Sequence, residues 1–416
     1  MTADRAVAHG LDPDLADWLA GHLGTKGPFA VHPISGGNSN ETALLTAPEG
    51  RWILRRPPVA AISATANDLG REFRVLTALD GTGVPAPHPV AFATAGAVTP
   101  RSCLVMEFSE GYPLTDTWPD GWPRTVTIGD AGRAAVAALA ALHRVDYQAA
   151  GLGDFGRPAG YLKRQVARWR GQYEQNQVRD LPLFAELGDW LEAHRPAEAV
   201  PAILHGDFHL DNCLILPGPT ARVAAIIDWE LATVGDPLAD LGLLLAFWGP
   251  ERADPLAMPK VQSLSRVAAA PSRRDLADYY TSLTGRSTRD LVFYMVLAFF
   301  KLAAIVEGAY ARFLAGDVDS PYARALAQDV PALLHDAARL AEAGLAADPG
   351  LRGGEAGSRG REAEDRAALG VGVLLVRAGE DVQHVQPRTA EADGGHEPVW
   401  HWYLGDALPG RIVADD

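Results

Sequence analysis

The sequence predicts an α+β fold in two lobes, a small mixed lobe followed by a larger and mainly helical one. Three observations support this prediction. Strand-like runs alternate with turn signals in the first third of the chain, whereas helical periodicity dominates from about residue 112 onward. The length of 416 residues also exceeds what one ordinary core accommodates. The cleft between two such lobes is the default place for a ligand.

In the first lobe, two short strands at 43–47 and 51–56 flank a Pro-Glu-Gly turn and should form a hairpin. Residues 68–80 carry apolar side chains at helical spacing and precede Gly81, which favours a helix. Another strand follows within 97–108. We therefore expect a small sheet with one helix packed on it.

The second lobe should hold seven helices and two short apolar strands that flank polar loops. The predicted helices span 129–146, 158–175, 182–195, 238–247, 272–283, 288–314 and 321–346. The stretch after them is rich in Gly, Arg and Glu, which is typical of a linker. The predicted division is an N-lobe at 1–108, a C-lobe at 109–346, a linker at 347–366 and a tail of unknown role at 367–416.

Composition and charge narrow the class of function. Hydrophobic residues make up 48% of the chain and charged residues 21%, as in a globular protein. The net charge is -15, and no cluster of lysine and arginine forms the basic stripe that nucleic acid requires. Cys103 and Cys213 stand in apolar surroundings, and two cysteines are too few for a disulfide framework. We expect no nucleic-acid partner and two buried core cysteines.

Targeting signals are not apparent in the sequence. The N-terminus carries acids where a secretory signal needs a basic start and an unbroken apolar core. The longest apolar stretch, at 291–300, stops at Lys301 and is too short to span a bilayer. We expect a cytoplasmic protein without a membrane partner.

The strongest chemical signal is the segment LHGDFHLDN, followed by AAIIDWE. It contains HGD-x-x-x-x-N, with Asp207 and Asn212, and the next acid after an apolar strand is Asp228. Phosphoryl transfer requires a carboxylate that orients the hydroxyl nucleophile and oxygen ligands that hold magnesium against the phosphates. Each residue alone is more often a turn or cap residue, but their joint order and spacing favour phosphoryl transfer.

These segments resemble the catalytic and metal-binding loops of the aminoglycoside phosphotransferase and choline kinase superfamily, which is related to protein kinases. The resemblance covers roughly residues 30–345. It implies a two-lobed protein-kinase-like fold and the use of ATP and Mg²⁺. It also implies that Asp207 is the catalytic base and that Asn212 and Asp228 bind the metal.

The segment ISGGNSNET resembles the loop that covers the nucleotide phosphates. Gly36 and Gly37 allow the backbone to approach the nucleotide, and Asn38, Ser39 and Asn40 supply donors. Taken alone, such a stretch is usually a plain loop. Its position before a hairpin favours the binding role.

Kinase-like enzymes hold the phosphates with a cation on the next strand, usually lysine, and WILRRPP contains none. Strand alternation places Ile53 and Arg55 on one face and Arg56 on the other. Arg55 resembles the lysine position, Ile53 would line the adenine pocket, and Glu72 resembles the helix glutamate that pairs with the cation. The alternative is that Arg55 and Arg56 are solvated surface charges.

The segment LVMEFSEG resembles the hinge between the lobes, where backbone groups of Glu107 and Phe108 would bind the adenine edge. His209, two residues after Asp207, either reaches the γ-phosphate or has a structural role. His205 should pin its loop by hydrogen bonds. Asp236 or Asp240 should cap the following helix and brace the metal loop.

The acceptor is a small molecule with a hydroxyl group. RWILRRPP together with DWELATVGDPLADLG resembles the branch whose kinase-like domain is associated with acyl-CoA dehydrogenases, which implies a hydroxylated acyl group and a functional link to such a dehydrogenase. A pocket for a polycationic antibiotic should be acidic, whereas YLKRQVARWR and LVFYMVLAFFK are basic or apolar. An aminoglycoside-type O-phosphotransferase and a catalytically weak nucleotide-binding module remain alternatives.

Overall fold

A computed structural model describes residues 11–34, 40–58, 68–123, 125–218, 220–249, 257–318 and 320–347. The chain folds into an antiparallel five-stranded sheet followed by a mainly helical lobe, which confirms the predicted α+β class. The sheet has the order β1-β2-β3-β5-β4. Its strands are β1 (Ala30–Ile34), β2 (Glu41–Ala47), β3 (Gly50–Arg56), β4 (Pro89–Ala93) and β5 (Cys103–Glu107).

The predicted hairpin is formed by β2 and β3, which pair in register from Glu41 opposite Arg56 to Ala47 opposite Gly50. Side chains alternate along β3, because successive residues of a strand point to opposite faces. Leu54 is buried against the outer core of the sheet, whereas Arg55 faces the cleft below it. The hairpin therefore places Arg55, and not its neighbour Arg56, at the cleft.

Two helices cover this sheet, although the sequence predicted only one. Helix α2 (Leu69–Leu79) is the predicted helix, and α1 (Pro13–Leu23) is an additional helix on the opposite face, where Leu15 and Leu19 are fully buried. Burial of each leucine contributes on the order of 1.5–3 kcal/mol. The signals for α1 are present in the sequence, since Asp12 caps it, proline occupies its first turn and Gly24 ends it in the left-handed conformation. Strands β1 and β4, each five residues long, were also not predicted.

The helical lobe contains the seven predicted helices within a few residues of their predicted bounds. They are α3 (Ile128–Arg144), α4 (Tyr161–Asn176), α5 (Pro182–Ala193), α6 (Leu238–Ala246), α7 (Arg273–Thr284), α8 (Leu291–Leu314) and α9 (Pro321–Ala347). Helices α3 and α7 begin with capping boxes, in which Thr127 and Ser272 exchange hydrogen bonds with Asp130 and Asp275. The predicted linker and tail lie outside the described residues apart from residue 347, and the lobe boundary at 108 stays a prediction.

Helix α8 is the core helix of this lobe. By length and composition it could cross a membrane, so the expectation that its apolar stretch is too short was wrong. However, 83% of its most apolar window is buried inside the protein. Lys301 lies in the middle of α8 and donates a hydrogen bond to the backbone carbonyl of Gly206. The apolar side chains of α8 are thus explained by packing inside the protein.

Two short antiparallel pairs position the polar loops. β6 (Ala202–Leu204) pairs with β9 (Thr233–Gly235), and β7 (Cys213–Leu216) pairs with β8 (Arg222–Ile226). Residues 205–212, the predicted catalytic loop, connect β6 to β7, and residues 227–232, the predicted metal loop, connect β8 to β9. We call them the catalytic loop and the metal loop. Hydrogen bonds between them hold the two loops side by side.

Candidate active site

The catalytic loop turns sharply at Gly206, which has φ 84°. A Cβ atom at this position would collide with the carbonyl oxygen of Leu231 in the metal loop. Glycine is therefore required by both the left-handed backbone and the close approach of the two loops. Asp207 follows this turn, and its side chain is largely buried.

Asp240 on α6 holds this turn in place. Its carboxylate accepts the backbone N–H groups of His205 at 2.7 Å and of Gly206 at 2.9 Å. The prediction that an acid of this segment braces the metal loop was therefore wrong for Asp240, because it braces the catalytic loop. Asp236 accepts the N–H of Leu238 at 3.1 Å and thus caps α6. The tie to the metal loop comes from the ring Nε2 of His205, which lies 2.8 Å from the carbonyl of Ile227.

His143 lies behind this brace, with its ring nitrogens 2.8 Å from the Tyr280 hydroxyl and 3.4 Å from Asp240. Burial lowers the pKa of His143 below the ordinary histidine value of 6.5, so the ring is neutral in the folded protein. The unfolded chain binds a proton below that value. Stability is therefore fully present above pH 6.5 and is lost as pH falls towards the folded pKa.

We expect the free energy of unfolding of His143→Gln to depend less on pH below pH 6.5 than that of the wild type. The loss of unfolding free energy between pH 6.5 and 5.5 should shrink by up to about 1.4 kcal/mol, because one proton-linked group is removed. Denaturant titrations at the two pH values measure the change. His335→Gln, at an exposed histidine, is the matched control. If the free energy of unfolding of His143→Gln falls between pH 6.5 and 5.5 as much as that of the wild type, His143 is not the group that loses this stability.

Asp207 lies among cations. His209 Nε2 is 3.4 Å from Asp207 Oδ2, and Lys301 Nζ is 3.9 Å from Asp207 Oδ1. Burial raises the pKa of Asp207, but the hydrogen bond to His209 and the charges of His209 and Lys301 outweigh it and hold the pKa well below its usual range. The carboxylate is therefore ionised and suited to orient a hydroxyl rather than to remove its proton early. Sequence reasoning missed Lys301, whose only signal was a lone lysine in an apolar helix.

His209 also approaches a second acid, with its Nδ1 3.5 Å from Asp211 Oδ2. Burial lowers the pKa of His209, but the carboxylates of Asp207 and Asp211 raise it to about 10. The ring is accordingly an imidazolium beside the Asp207 carboxylate. The structure thus shows a positioning contact to Asp207, and the predicted reach of His209 to the γ-phosphate stays a prediction.

Asn212 and Asp228 supply oxygen atoms suited to magnesium. The Asn212 side-chain N–H₂ donates to the Asp207 carbonyl at 2.9 Å, which turns the amide oxygen away from Asp207. The Ile227 N–H donates to the Asn212 carbonyl at 2.9 Å and joins the two loops next to Asp228. Asp228 has φ 67°, a strained conformation that clusters at functional sites. Because Mg²⁺ takes one or two carboxylates and completes its shell with water and phosphate, this donor pair fits the metal.

Arg55 crosses the cleft between two acids. Its guanidinium donates to Glu72 Oε1 at 2.5 Å and to Asp228 Oδ1 at 3.1 Å. Burial lowers the pKa of Arg55, but Glu72 and Asp228 raise it above its ordinary value, so it is a permanent cation. The pairing of Arg55 with Glu72 is the one that the resemblance implies. Arg56, in contrast, lies on the outer face of the sheet, where its nearest guanidinium nitrogen is 3.8 Å from the Glu41 carboxylate.

A pocket between the sheet and the helical lobe encloses about 1100 Å³, a volume that includes its open mouth. Its lining combines apolar side chains, including Ile53 and Met106, with the charged side chains of Arg55, Glu72 and Asp228. Apolar walls with a few convergent charges are typical of a cofactor site. We call it the cleft pocket.

The hinge strand forms one edge of the cleft pocket. The Phe108 N–H donates to the Arg51 carbonyl at 3.2 Å, and the Glu107 N–H donates to the His88 carbonyl at 2.9 Å. These two N–H groups are already paired within the protein. The prediction that backbone groups around Glu107 and Phe108 bind the adenine edge therefore depends on other backbone atoms and stays a prediction. Ser109 also lines the pocket and was not predicted.

The predicted phosphate-covering loop lies mostly outside the described residues, and this holds for Gly36, Gly37, Asn38 and Ser39. Asn40 is described and lines the cleft pocket. Among the described residues, neither polar atom of its buried side chain has a hydrogen-bond partner, and the same is true of Arg55 Nε. Buried polar atoms are nearly always paired, so these three atoms fit a polar ligand in the pocket.

Comparison with known proteins agrees with this geometry. Residues 30–276 match the model of the phosphotransferase enzyme family, and the chain belongs to this family. An acyl-CoA dehydrogenase family member 11 from Gallus gallus is 34% identical over 300 residues, which cover 70% of this chain and 38% of that relative. The chain thus spans less than half the length of the curated relatives it matches.

Solved structures share the fold. A Ralstonia eutropha protein provisionally named an aminoglycoside phosphotransferase has a TM-score of 0.65 and 31% identity, with 79% of this chain and 97% of that chain covered. The aminoglycoside phosphotransferase APH(4)-Ia, in a complex with ADP and hygromycin B, has a TM-score of 0.52 and 16% identity, with 80% and 99% covered. The two-lobed kinase-like fold is therefore confirmed, as is the resemblance to this superfamily.

Proposed function

We propose that the protein is a magnesium-dependent kinase that transfers the γ-phosphoryl group of ATP to a hydroxyl group of a small cytoplasmic metabolite, a hydroxylated acyl thioester. One observation carries the proposal. Asp207 lies buried, ionised and fixed between cations at the point where the catalytic and metal loops meet. Phosphoryl transfer depends chiefly on such positioning and charge.

The nucleotide fits the cleft pocket. Ile53 and Met106 would pack against the adenine, and the Glu107 carbonyl and Ser109 would contact its polar edge. Arg55 would bind the α- and β-phosphates, since a guanidinium presents a planar pair of donors to phosphate oxygens. The side chain of Asn40, which has no hydrogen-bond partner among the residues that the structure describes, would complete the contacts to the phosphates.

Asn212 and Asp228 would hold Mg²⁺, which supplies charge neutralisation on the phosphates when bound. Asp207 orients the acceptor hydroxyl through its free carboxylate lone pairs. The acceptor oxygen forms a bond to the γ-phosphorus as the bond from that phosphorus to the β–γ bridging oxygen breaks. ADP leaves with the electron pair, and the hydroxyl proton passes to Asp207. Because the pKa of Asp207 is low, this proton transfer occurs late.

Two features favour an acyl acceptor over a polycationic antibiotic. The acyl-CoA dehydrogenase relatives suggest an acyl group and a functional link to such an enzyme. In addition, the cations nearest to Asp207 are Lys301 and His209, which would repel the ammonium groups of an aminoglycoside.

The test is an acceptor screen with magnesium and ATP, read as ADP release, across aminoglycosides, choline, sugars and hydroxyacyl-CoA thioesters. We expect turnover above the acceptor-free rate with hydroxyacyl-CoA thioesters. Preference for an aminoglycoside would establish the antibiotic-modifying alternative. ATP binding without turnover on any acceptor would favour a catalytically weak nucleotide-binding module.

A further inference from the structure

A second and smaller pocket lies on the catalytic carboxylate. Asp207 and His209 form one end, and its remaining walls are apolar: Leu243, Phe247, Met258, Val261 and Leu302. It shares none of these residues with the cleft pocket. Asp207 therefore lines this apolar pocket and does not line the cleft pocket, which is the predicted nucleotide site.

We infer that this apolar pocket binds the alkyl substituent of the acceptor, on the carbon that bears the reactive hydroxyl. The inference rests on the proposed function and specifies its substrate class as a secondary alcohol with a short alkyl tail. A hydroxyl held by Asp207 places the neighbouring carbon at the mouth of the pocket. Its apolar walls provide no partner for a further hydroxyl or ammonium group, and such a group would be buried unpaired.

The size of the pocket limits the tail. It encloses about 290 Å³, and this volume includes the open space at its mouth. The pocket therefore accepts only a short substituent. The remainder of the acceptor must extend outward from the cleft, which suits a thioester with a bulky polar carrier.

The wall of the pocket is held in a defined shape. Among the described residues, only Asp228, Met258 and Gln262 are non-glycine residues with positive φ, and the last two flank this pocket at φ 46° and 48°. Buried Gln262 accepts the Leu210 N–H at 3.0 Å and donates to the Leu244 carbonyl at 2.9 Å. It thereby ties the pocket wall to the catalytic loop. Such strained conformations persist where the surrounding structure fixes them and cluster at functional sites.

The test uses hydroxyacyl-CoA thioesters that differ only in the number of alkyl carbons beyond the hydroxyl-bearing carbon. For the wild type, kcat/KM should rise about tenfold or more with each added methylene until the pocket is full, and then fall. Val261→Leu, which fills the pocket, should move the optimum to a shorter tail. Leu302→Ala, which enlarges it, should move the optimum to a longer tail.

Each variant has a matched control on α8 that lines neither pocket. Val292→Leu matches Val261→Leu, and Leu297→Ala matches Leu302→Ala, since the paired residues are similarly buried. The controls should keep the wild-type optimum. The inference is overturned if acceptors are phosphorylated but the two pocket variants share the optimum of their controls. If the wild type binds ATP but phosphorylates no acceptor, the proposed function itself fails.

Discussion

Replacement of Asp207 by asparagine is expected to lower kcat by about 10²–10⁴-fold, the contribution typical of a positioned acid–base group. Asparagine has nearly the same shape but cannot accept the hydroxyl proton. Because Asp207 does not line the cleft pocket, nucleotide affinity should be largely retained. Steady-state kinetics and a nucleotide-binding titration measure the two effects separately.

A lower kcat in Asp207→Asn must be distinguished from a lower fraction of folded protein. Asn212 still finds an oxygen acceptor at position 207, since one of its two bonds there goes to the backbone carbonyl. The neutral amide also leaves the charges of His209 and Lys301 without their carboxylate, and breaking a buried ion pair costs about 3–5 kcal/mol. We therefore expect cooperative unfolding at a lower temperature than in the wild type, and kcat is compared below that temperature. Retention of at least half of the wild-type kcat in Asp207→Asn would exclude Asp207 as the catalytic carboxylate.

Replacement of Arg55 by alanine should have the largest combined effect on stability and binding. It leaves Glu72, which is almost fully buried, without its cation, and breaking a buried ion pair costs about 3–5 kcal/mol. The same change removes the proposed phosphate contact and should raise the Kd for ATP at least tenfold. Denaturant unfolding and ATP titration measure the two quantities.

The chain provides its own controls for this experiment. Arg56→Ala removes the neighbouring cation on the outer face and should change ATP affinity less than twofold. The double variant Arg55→Met, Glu72→Met replaces the pair by apolar side chains and should recover stability but not ATP affinity. If that double variant binds ATP as the wild type does, Arg55 is not the phosphate-binding cation.

The fold was largely predictable because its helices carry strong apolar periodicity. α3 to α9 lie close to their predicted positions, since long amphipathic or apolar segments bounded by caps leave few alternatives. Short elements with weak patterns were missed. β4 is five residues with a proline at its start, and α1 begins near the chain terminus. The capping residues of α1 are nevertheless present in its sequence.

The site was only partly predictable, because sequence motifs identify its loops but not the residues from distant parts of the chain that contact these loops. Asp207 and Asn212 lie within one short segment, so their association follows from spacing alone. Lys301 approaches Asp207 from a helix 94 residues later in the chain, and only the packing of α8 brings it there. The apolar pocket likewise combines α6, α8 and the turn at 257–262, which no local pattern connects.

The most direct test of phosphoryl transfer to an alcohol is the fate of the γ-phosphoryl group. The protein is incubated with magnesium, γ-labelled ATP and a hydroxyacyl-CoA thioester with a short alkyl tail, and the products are separated and analysed by mass spectrometry. We predict one labelled phosphate ester on the acyl hydroxyl, formed by the wild type and absent with Asp207→Asn. Label found only in inorganic phosphate, for every hydroxyl acceptor offered, would contradict the account.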